Sequence, residues 1–294
     1  MKPEMFNARS WLFAPGDSEK KMQKAADSAA DIALFDLEDA VAEAEKPKAR
    51  ELVVNFLKAY AADRSRLWVR INPLQEGHAL ADLAAVMPGR PGGIMVPKTR
   101  SGADLVVLDH YLSALEVANG IEQGSTKVFP LVTETAEGML TTGSYAGAPR
   151  LVAMTWGAED LADALGASEN KNADGSYGFT YELARSLCLV GAAAARVAAI
   201  DTIQGDFRDL DGLRKRATQC RRAGFRGMLA IHPAQVDVIN EAFMPAAEEI
   251  AQAQEIVDLF AANPTLGTIG YKGAMLDRPF LARAQQLLKL AGKI

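Results

Sequence analysis

The residues best suited to chemistry in this chain are charged groups that recur just after short apolar runs. In chain order those positions read Pro15-Gly16-Asp17, Asp36-Leu37-Glu38-Asp39, Arg70-Ile71-Asn72-Pro73, Pro97-Lys98-Thr99, Glu134-Thr135, Gly157-Ala158-Glu159-Asp160, Asp201-Thr202 and His232-Pro233. Glu134 and Asp160 follow consecutive runs, so neighbouring strands of a parallel barrel would set them a few ångströms apart. Two carboxylates with open positions for water and substrate describe a Mg²⁺ site, with Mn²⁺ as an alternative, better than a caged Ca²⁺ site. Glu137 and Glu159 compete for the same role by spacing. The plainer roles are a helix-dipole charge for Asp160 and a loop charge for Glu134.

Arg70 stands between apolar neighbours in Trp68-Val69-Arg70-Ile71-Asn72. A cation there suits a carboxylate, a thioester carbonyl or an enolate, and an ion pair with Asp36 or Glu38 is compatible with that use. The acidic group Asp36-Leu37-Glu38-Asp39 can orient metal-bound waters or cap a helix. Lys98 is placed for Schiff-base chemistry, which keeps a class I aldolase in view. Asp277, two residues before Pro279, reads as a helix start or as a general base carried by a C-terminal segment. Lys20 and Lys24, one turn apart on a helix opened by Pro15–Ser18, form either a phosphate grip or a solvated face. Arg50 has the same standing. No G-x-S-x-G elbow is present, which argues against serine hydrolase chemistry.

The composition narrows the field. In 294 residues there are 32 Lys+Arg, 37 Asp+Glu, 3 His and 2 Cys, for a net charge of −5. Cys188 and Cys220 cannot build a disulfide framework or a zinc cluster, so a reducing, cytoplasmic compartment is expected. No basic stripe suggests nucleic acid. No uncharged apolar run approaches the ~20 residues of a membrane span, and the start lacks the apolar stretch of a signal peptide.

The elements that must position these residues are eight apolar runs: Trp11–Ala14, Ile32–Leu37, Leu67–Ile71, Ile94–Val96, Val128–Val132, Leu151–Thr155, Val197–Ile203 and Met228–Ile231. Between them lie helical patterns such as Glu19–Ala30, Lys46–Tyr60, Leu80–Val86, Ala103–Asn119 and Tyr181–Ala195. Met22, Ala25, Ala26 and Ala29 would face inward from the first. Alternating strands and helices imply an α/β fold with a parallel sheet. Eight units without a G-x-G-x-x-G after the first strand favour a TIM (β/α)8 barrel, whose site lies at the carboxyl ends of its strands. The barrel is expected over residues 1–235. Residues 236–294 are expected to add two or three helices as an extension carrying Asp277, not an independent domain. They would be joined by the Gly-rich stretch Asn263–Lys272, which could move.

Several strings then resemble one family: RSWLFAPG at Arg9–Gly16, FDLEDAV at Phe35–Val41, VRIN at Val69–Asn72, PKT at Pro97–Thr99, ETxxG at Glu134–Gly138, WGAEDL at Trp156–Leu161 and the late MLDRP. They resemble the citrate lyase β-subunit-like family, which includes malyl-CoA and citramalyl-CoA lyases. The resemblance implies a carbon–carbon lyase acting on a CoA thioester, assembled as a homotrimer or hexamer. It implies that Glu134 and Asp160 hold Mg²⁺, that Glu134 and Arg70 also bind substrate, and that Arg70 and Asp277 are catalytic. Asp277 would complete a neighbouring subunit's site, and Phe13, Lys20, Lys24 and Arg50 would contact CoA. The paired lysines and the AIHP string at Ala230–Pro233 resemble members that use free CoA esters. Carrier-bound substrates, as in the citrate lyase β subunit, are the alternative. Ala14 departs from the usual Val, and Thr155-Trp156 add bulk before Gly157 and beside the metal motif, a departure that bears on the size of the accepted acid.

Overall fold

The structure, a computed structural model, describes residues 6–294. The chain divides into two units, one ending at Asn240 and one beginning at Glu241. The first contains β1 (Ser10–Pro15), β2 (Ile32–Asp36), β3 (Leu67–Arg70), β4 (Gly93–Val96), β5 (Lys127–Pro130), β6 (Ala153–Met154), β7 (Ala198–Asp201) and β8 (Gly227–Ala230). Their order is β5-β4-β3-β2-β1-β8-β7-β6, and every pair is parallel. Parallel bridges Val128↔Leu151 and Leu131↔Thr155 join β5 to β6 and close a barrel.

Helices cover the outside. They are α1 (Glu19–Ala26), α2 (Lys46–Ala59), α3 (Ala79–Val86), α4 (Gly102–Ala118), α5 (Ala136–Leu140), α6 (Glu159–Leu165), α7 (Phe179–Ala195), α8 (Leu210–Ala223) and α9 (Ala234–Ala242). With helices on one face and packed side chains on the other, β2, β3, β4, β7 and β8 are buried along their whole length, which explains their continuous apolar reading. Aromatic rings fill the interior near the strand starts: Trp11 meets Trp68 edge-on at 5.0 Å and Phe129 at 4.4 Å. Gly93 makes room for this, because a Cβ there would lie 2.4 Å from the Trp68 ring. Polar groups are thereby left to the opposite ends of the strands.

Helix α1 is shorter than its sequence pattern. The Ser28 hydroxyl donates to the Ala25 carbonyl at 2.7 Å, and Ala29 is exposed rather than inward-facing. A side chain that caps its own last turn ends the helix there.

The second unit is not purely helical. Between α10 (Ala247–Ala262) and α11 (Arg278–Leu290) it forms an antiparallel hairpin of β9 (Thr268–Tyr271) and β10 (Ala274–Asp277). Thus part of the stretch expected to be a mobile connection is a strand. Lys272 and Gly273, at φ 46° and 82°, make the two-residue turn, and such turns match the twist of paired strands. Phe260, Ile269, Leu276 and Leu288 are buried together in this unit's own apolar cluster. Among the described residues, no helix is long and apolar enough to cross a membrane.

Candidate active site at the carboxyl ends of the strands

Register alone begins the site. Asp36 ends β2 and is paired with Arg70, which ends β3, so their side chains emerge side by side. Arg70 Nε and Nη2 donate to Asp36 Oδ1 and Oδ2 at 2.7 and 2.6 Å, a two-point contact that fixes the guanidinium plane. Its Nη1 lies 2.7 Å from Glu38 Oε2, and the Phe13 ring sits 4.9 Å beneath its carbon centre. Burial would raise the Asp36 carboxyl, but the Arg70 charge, its two hydrogen bonds and the Glu38 and Ala40 backbone N–H groups together outweigh it and hold that carboxyl below the usual range. Glu38 has the opposite balance. Burial pushes it up to about 7 despite Arg70 and Lys98.

Glu134 lies just beyond β5 and is only 3% exposed. Its Oε2 accepts the Lys98 backbone N–H at 2.7 Å. Gly157 is what admits it, since a Cβ at that position would fall 2.7 Å from Glu134 Oε1. Burial, reinforced by the charges of Asp160 and Glu38, raises the Glu134 carboxyl well above the ordinary range. Asp160 occupies the first turn of α6, where the helix dipole also favours it, and its Oδ1 lies 3.0 Å from Lys98 Nζ. Burial opposes the Lys98 ammonium, while Glu38 and Asp160 more than restore it and raise its pKa. An amine held protonated in this way is a poor Schiff-base nucleophile, which sets the class I aldolase reading aside.

These groups meet in a cavity of about 370 Å³ whose wall includes Phe13, Asp36, Arg70, Glu134 and Asp160. Apolar and aromatic side chains, among them Leu131, Tyr177, Ile203 and Ile231, make up much of the rest. Glu159 is also in the wall, whereas Glu137 is exposed and lies 3.9 Å from Arg100. Among the described residues no group of three or more His, Cys, Asp or Glu forms a ready metal cage. The donor set fits Mg²⁺ nonetheless: hard oxygens from two carboxylates and an open cavity for retained waters.

Three expected residues of the first unit lie outside the cavity wall. Lys20 and Lys24 are exposed on α1. Arg50 is committed to structure, donating from Nε to buried Asp82 at 2.6 Å and meeting His78 Nδ1 at 3.0 Å. None of the three lines the cavity. Asp277, in the second unit, stands at the N-cap position of α11, yet its side chain makes no capping bond. Its Oδ1 is buried without a hydrogen-bond partner. His232 stacks on Phe207 at 4.6 Å.

Two residues that the sequence singled out do not line the cavity. Trp156 does not narrow the cavity; it is fully buried and donates from its indole N–H to Asp201 Oδ1 at 2.7 Å. Asp201 is likewise turned away from the cavity, toward Arg185, Arg216 and the Cys220 thiol. Sequence reasoning also missed Lys46, whose buried ammonium donates to the Leu37 and Glu38 carbonyls at 3.2 and 3.3 Å and to the Asn72 side chain. It clamps the acidic loop after β2. No local signal separates it from the other lysines of its segment.

Residues 9–233 match the family described as HpcH/HpaI aldolase/citrate lyase. A citrate lyase subunit beta-like protein of Mycobacterium tuberculosis is 36% identical over 96% of this chain and 95% of its own length. The mitochondrial citramalyl-CoA lyase of Mus musculus is 33% identical over 97% of this chain and 86% of its own. The M. tuberculosis protein CitE, solved in complex with magnesium, acetoacetate and coenzyme A, superposes with a TM-score of 0.82 at 34% identity, covering 97% of this chain and 98% of that one.

Proposed function

This chain belongs to the HpcH/HpaI aldolase/citrate lyase family, and on that premise we propose that it is a Mg²⁺-dependent carbon–carbon lyase. Its substrate is a 3-hydroxy-3-carboxyacyl-CoA of the citramalyl-CoA or malyl-CoA kind, cleaved to acetyl-CoA and a 2-oxo acid, or formed from them. One observation carries the reading: buried Glu134 and half-buried Asp160 line a single cavity beside a rigidly held Arg70. Relatives named for citramalyl-CoA lyase and citrate lyase β, and a similar structure holding magnesium and coenzyme A, support it.

Held by Glu134 and Asp160, Mg²⁺ would supply Lewis-acid polarisation of the oxygen that becomes the ketone. As its oxygen becomes the ketone, the hydroxyl gives up its proton to solvent, and breaking the carbon–carbon bond sends its electron pair to the thioester as an enolate. Arg70 stabilises that charge, and because Asp36 and Phe13 already fix its plane, little reorganisation accompanies the step. Asp277 delivers the proton to the enolate carbon, giving acetyl-CoA, and removes it in the condensing direction. Its uncapped, unbonded side chain leaves it available for this, from a neighbouring copy in a homotrimer or hexamer. Lys20 and Lys24 contribute charge for the CoA phosphates. The unpaired Cys188 and Cys220 suit a reducing, cytoplasmic compartment.

The test is an assay of purified protein with Mg²⁺ against malyl-, citramalyl- and citryl-CoA, reading acetyl-CoA release. Turnover that EDTA abolishes supports the reading. Activity only on carrier-protein thioesters, in the presence of partner subunits, would replace it with a citrate lyase β-subunit role.

A further inference from the structure

We infer that Lys98 is a positioning residue that sets the cation affinity of the site, its ammonium acting as an internal counter-cation in competition with the divalent ion. The inference rests on the proposed use of Glu134 and Asp160 as metal-holding residues. Two separate contacts tie Lys98 to that pair. Its backbone N–H donates to Glu134 Oε2 at 2.7 Å, and its Nζ lies 3.0 Å from Asp160 Oδ1 while also bonding Glu38. Lys98 thus touches both carboxylates, one through its backbone and the other through its side chain.

The backbone carries the second mark. Lys98 has φ 50°, in the left-handed region that a long side chain seldom adopts. Strain of this kind persists only where surrounding contacts over-determine it, and it concentrates at functional positions. In this conformation the N–H meets Glu134 while the side chain reaches Glu38 and Asp160.

Charge matching supplies the direction of the effect. Asp36, Glu38, Asp39, Glu134 and Asp160 face Arg70 and Lys98, and the Arg70 fork is already committed to Asp36 and Glu38. Lys98 is therefore the cation that keeps Asp160 matched when no metal is bound. A divalent ion drawing on Asp160 must displace or repel that ammonium, so Lys98 weakens the ion's binding while keeping the carboxylates in place.

Calorimetric titration of Mg²⁺ into metal-free wild type, Lys98→Met, Lys98→Asn and Lys98→Arg tests this. Removing one positive charge beside a divalent ion should lower the Kd about tenfold in the Met and Asn variants. Lys98→Arg, which keeps the charge, should stay close to wild type. Metal-free Met and Asn variants should also melt lower and gain more from added Mg²⁺. Asn tolerates left-handed backbone, so it carries the test if Met fails to fold. Wild-type binding with unchanged or weaker affinity in both neutral variants would overturn this role and leave the metal reading intact. Absence of Mg²⁺ binding in every variant would overturn both.

Discussion

Asp201, at the end of β7, and Glu134, just beyond β5, are withdrawn from water to almost the same degree, 0% and 3% exposed, yet their proton affinities move apart. Burial would raise Asp201, but Arg216, Arg185, the Cys220 thiol and the Trp156 indole outweigh it and hold the carboxyl low. Glu134 accepts one backbone N–H, stands near Asp160 and Glu38, and is raised. Desolvation acts alike on both; the local supply of cations and donors decides the sign. One cluster is complete as folded. The other is short of positive charge, which is how a site built to receive a cation differs from a structural one.

The sharpest way to break this comparison is to neutralise the acidic cavity. Glu134→Gln or Asp160→Asn should lower lyase turnover about a thousandfold or more, measured as acetyl-CoA release, because the Lewis-acid contribution depends on both. In EDTA the Glu134→Gln variant should melt no lower than wild type, since it removes a poorly matched buried charge. Next in size is Asp201→Leu. It leaves Arg185 and Arg216 without their shared partner and should lower unfolding stability by about 3–5 kcal/mol in urea titrations. A small loss there, or a large one in Glu134→Gln, would erase the contrast.

Acid titration gives a smaller effect with a definite sign. Glu116 is fully buried, and although burial alone would raise it, Arg150, Gly124 and Thr126 bring it to about 2 from an ordinary 4.5. A carboxyl lowered in the fold stabilises it above about 4.5, and that contribution is lost as pH falls toward about 2. Glu38, raised to about 7, works the other way: in metal-free protein its share of stability is present below about 4.5 and lost as pH rises to about 7. Denaturant titrations across pH should show the acid loss flattened in Glu116→Gln and the neutral loss flattened in Glu38→Gln. The smallest effect belongs to charges outside both clusters. Lys20→Ala with Lys24→Ala should raise KM for CoA esters about threefold to tenfold and leave kcat and melting unchanged, because exposed lysines add little to stability.

Much of the barrel was legible because its strands obey a simple constraint. A strand covered on both faces must be apolar throughout, so the eight runs and their charged ends stand out, and the observed strands start and stop within a few residues of them, even where β6 shortens to Ala153–Met154. The hairpin of the second unit was not legible. Its strands are short, interrupted by Gly270 and largely exposed, so they lack both alternation and an apolar run. Where Trp156 points was not legible either, because its place in the chain, beside Asp160, says nothing about which side of the backbone it takes.

What the amino-acid order determined by itself is therefore the periodic layer: alternating strands and helices, and the placing of Asp36, Arg70, Glu134 and Asp160 at strand ends or just beyond them. Such features depend on neighbours along the chain. Tertiary structure alone decided which charges meet. Lys98 reaches Glu38 and Asp160, Lys46 clamps the β2 loop, Arg50 is drawn to Asp82, and Asp201 rather than Glu134 gains two arginines. Electrostatic balance is a sum over groups distant in sequence and close in space, so no local pattern could state it.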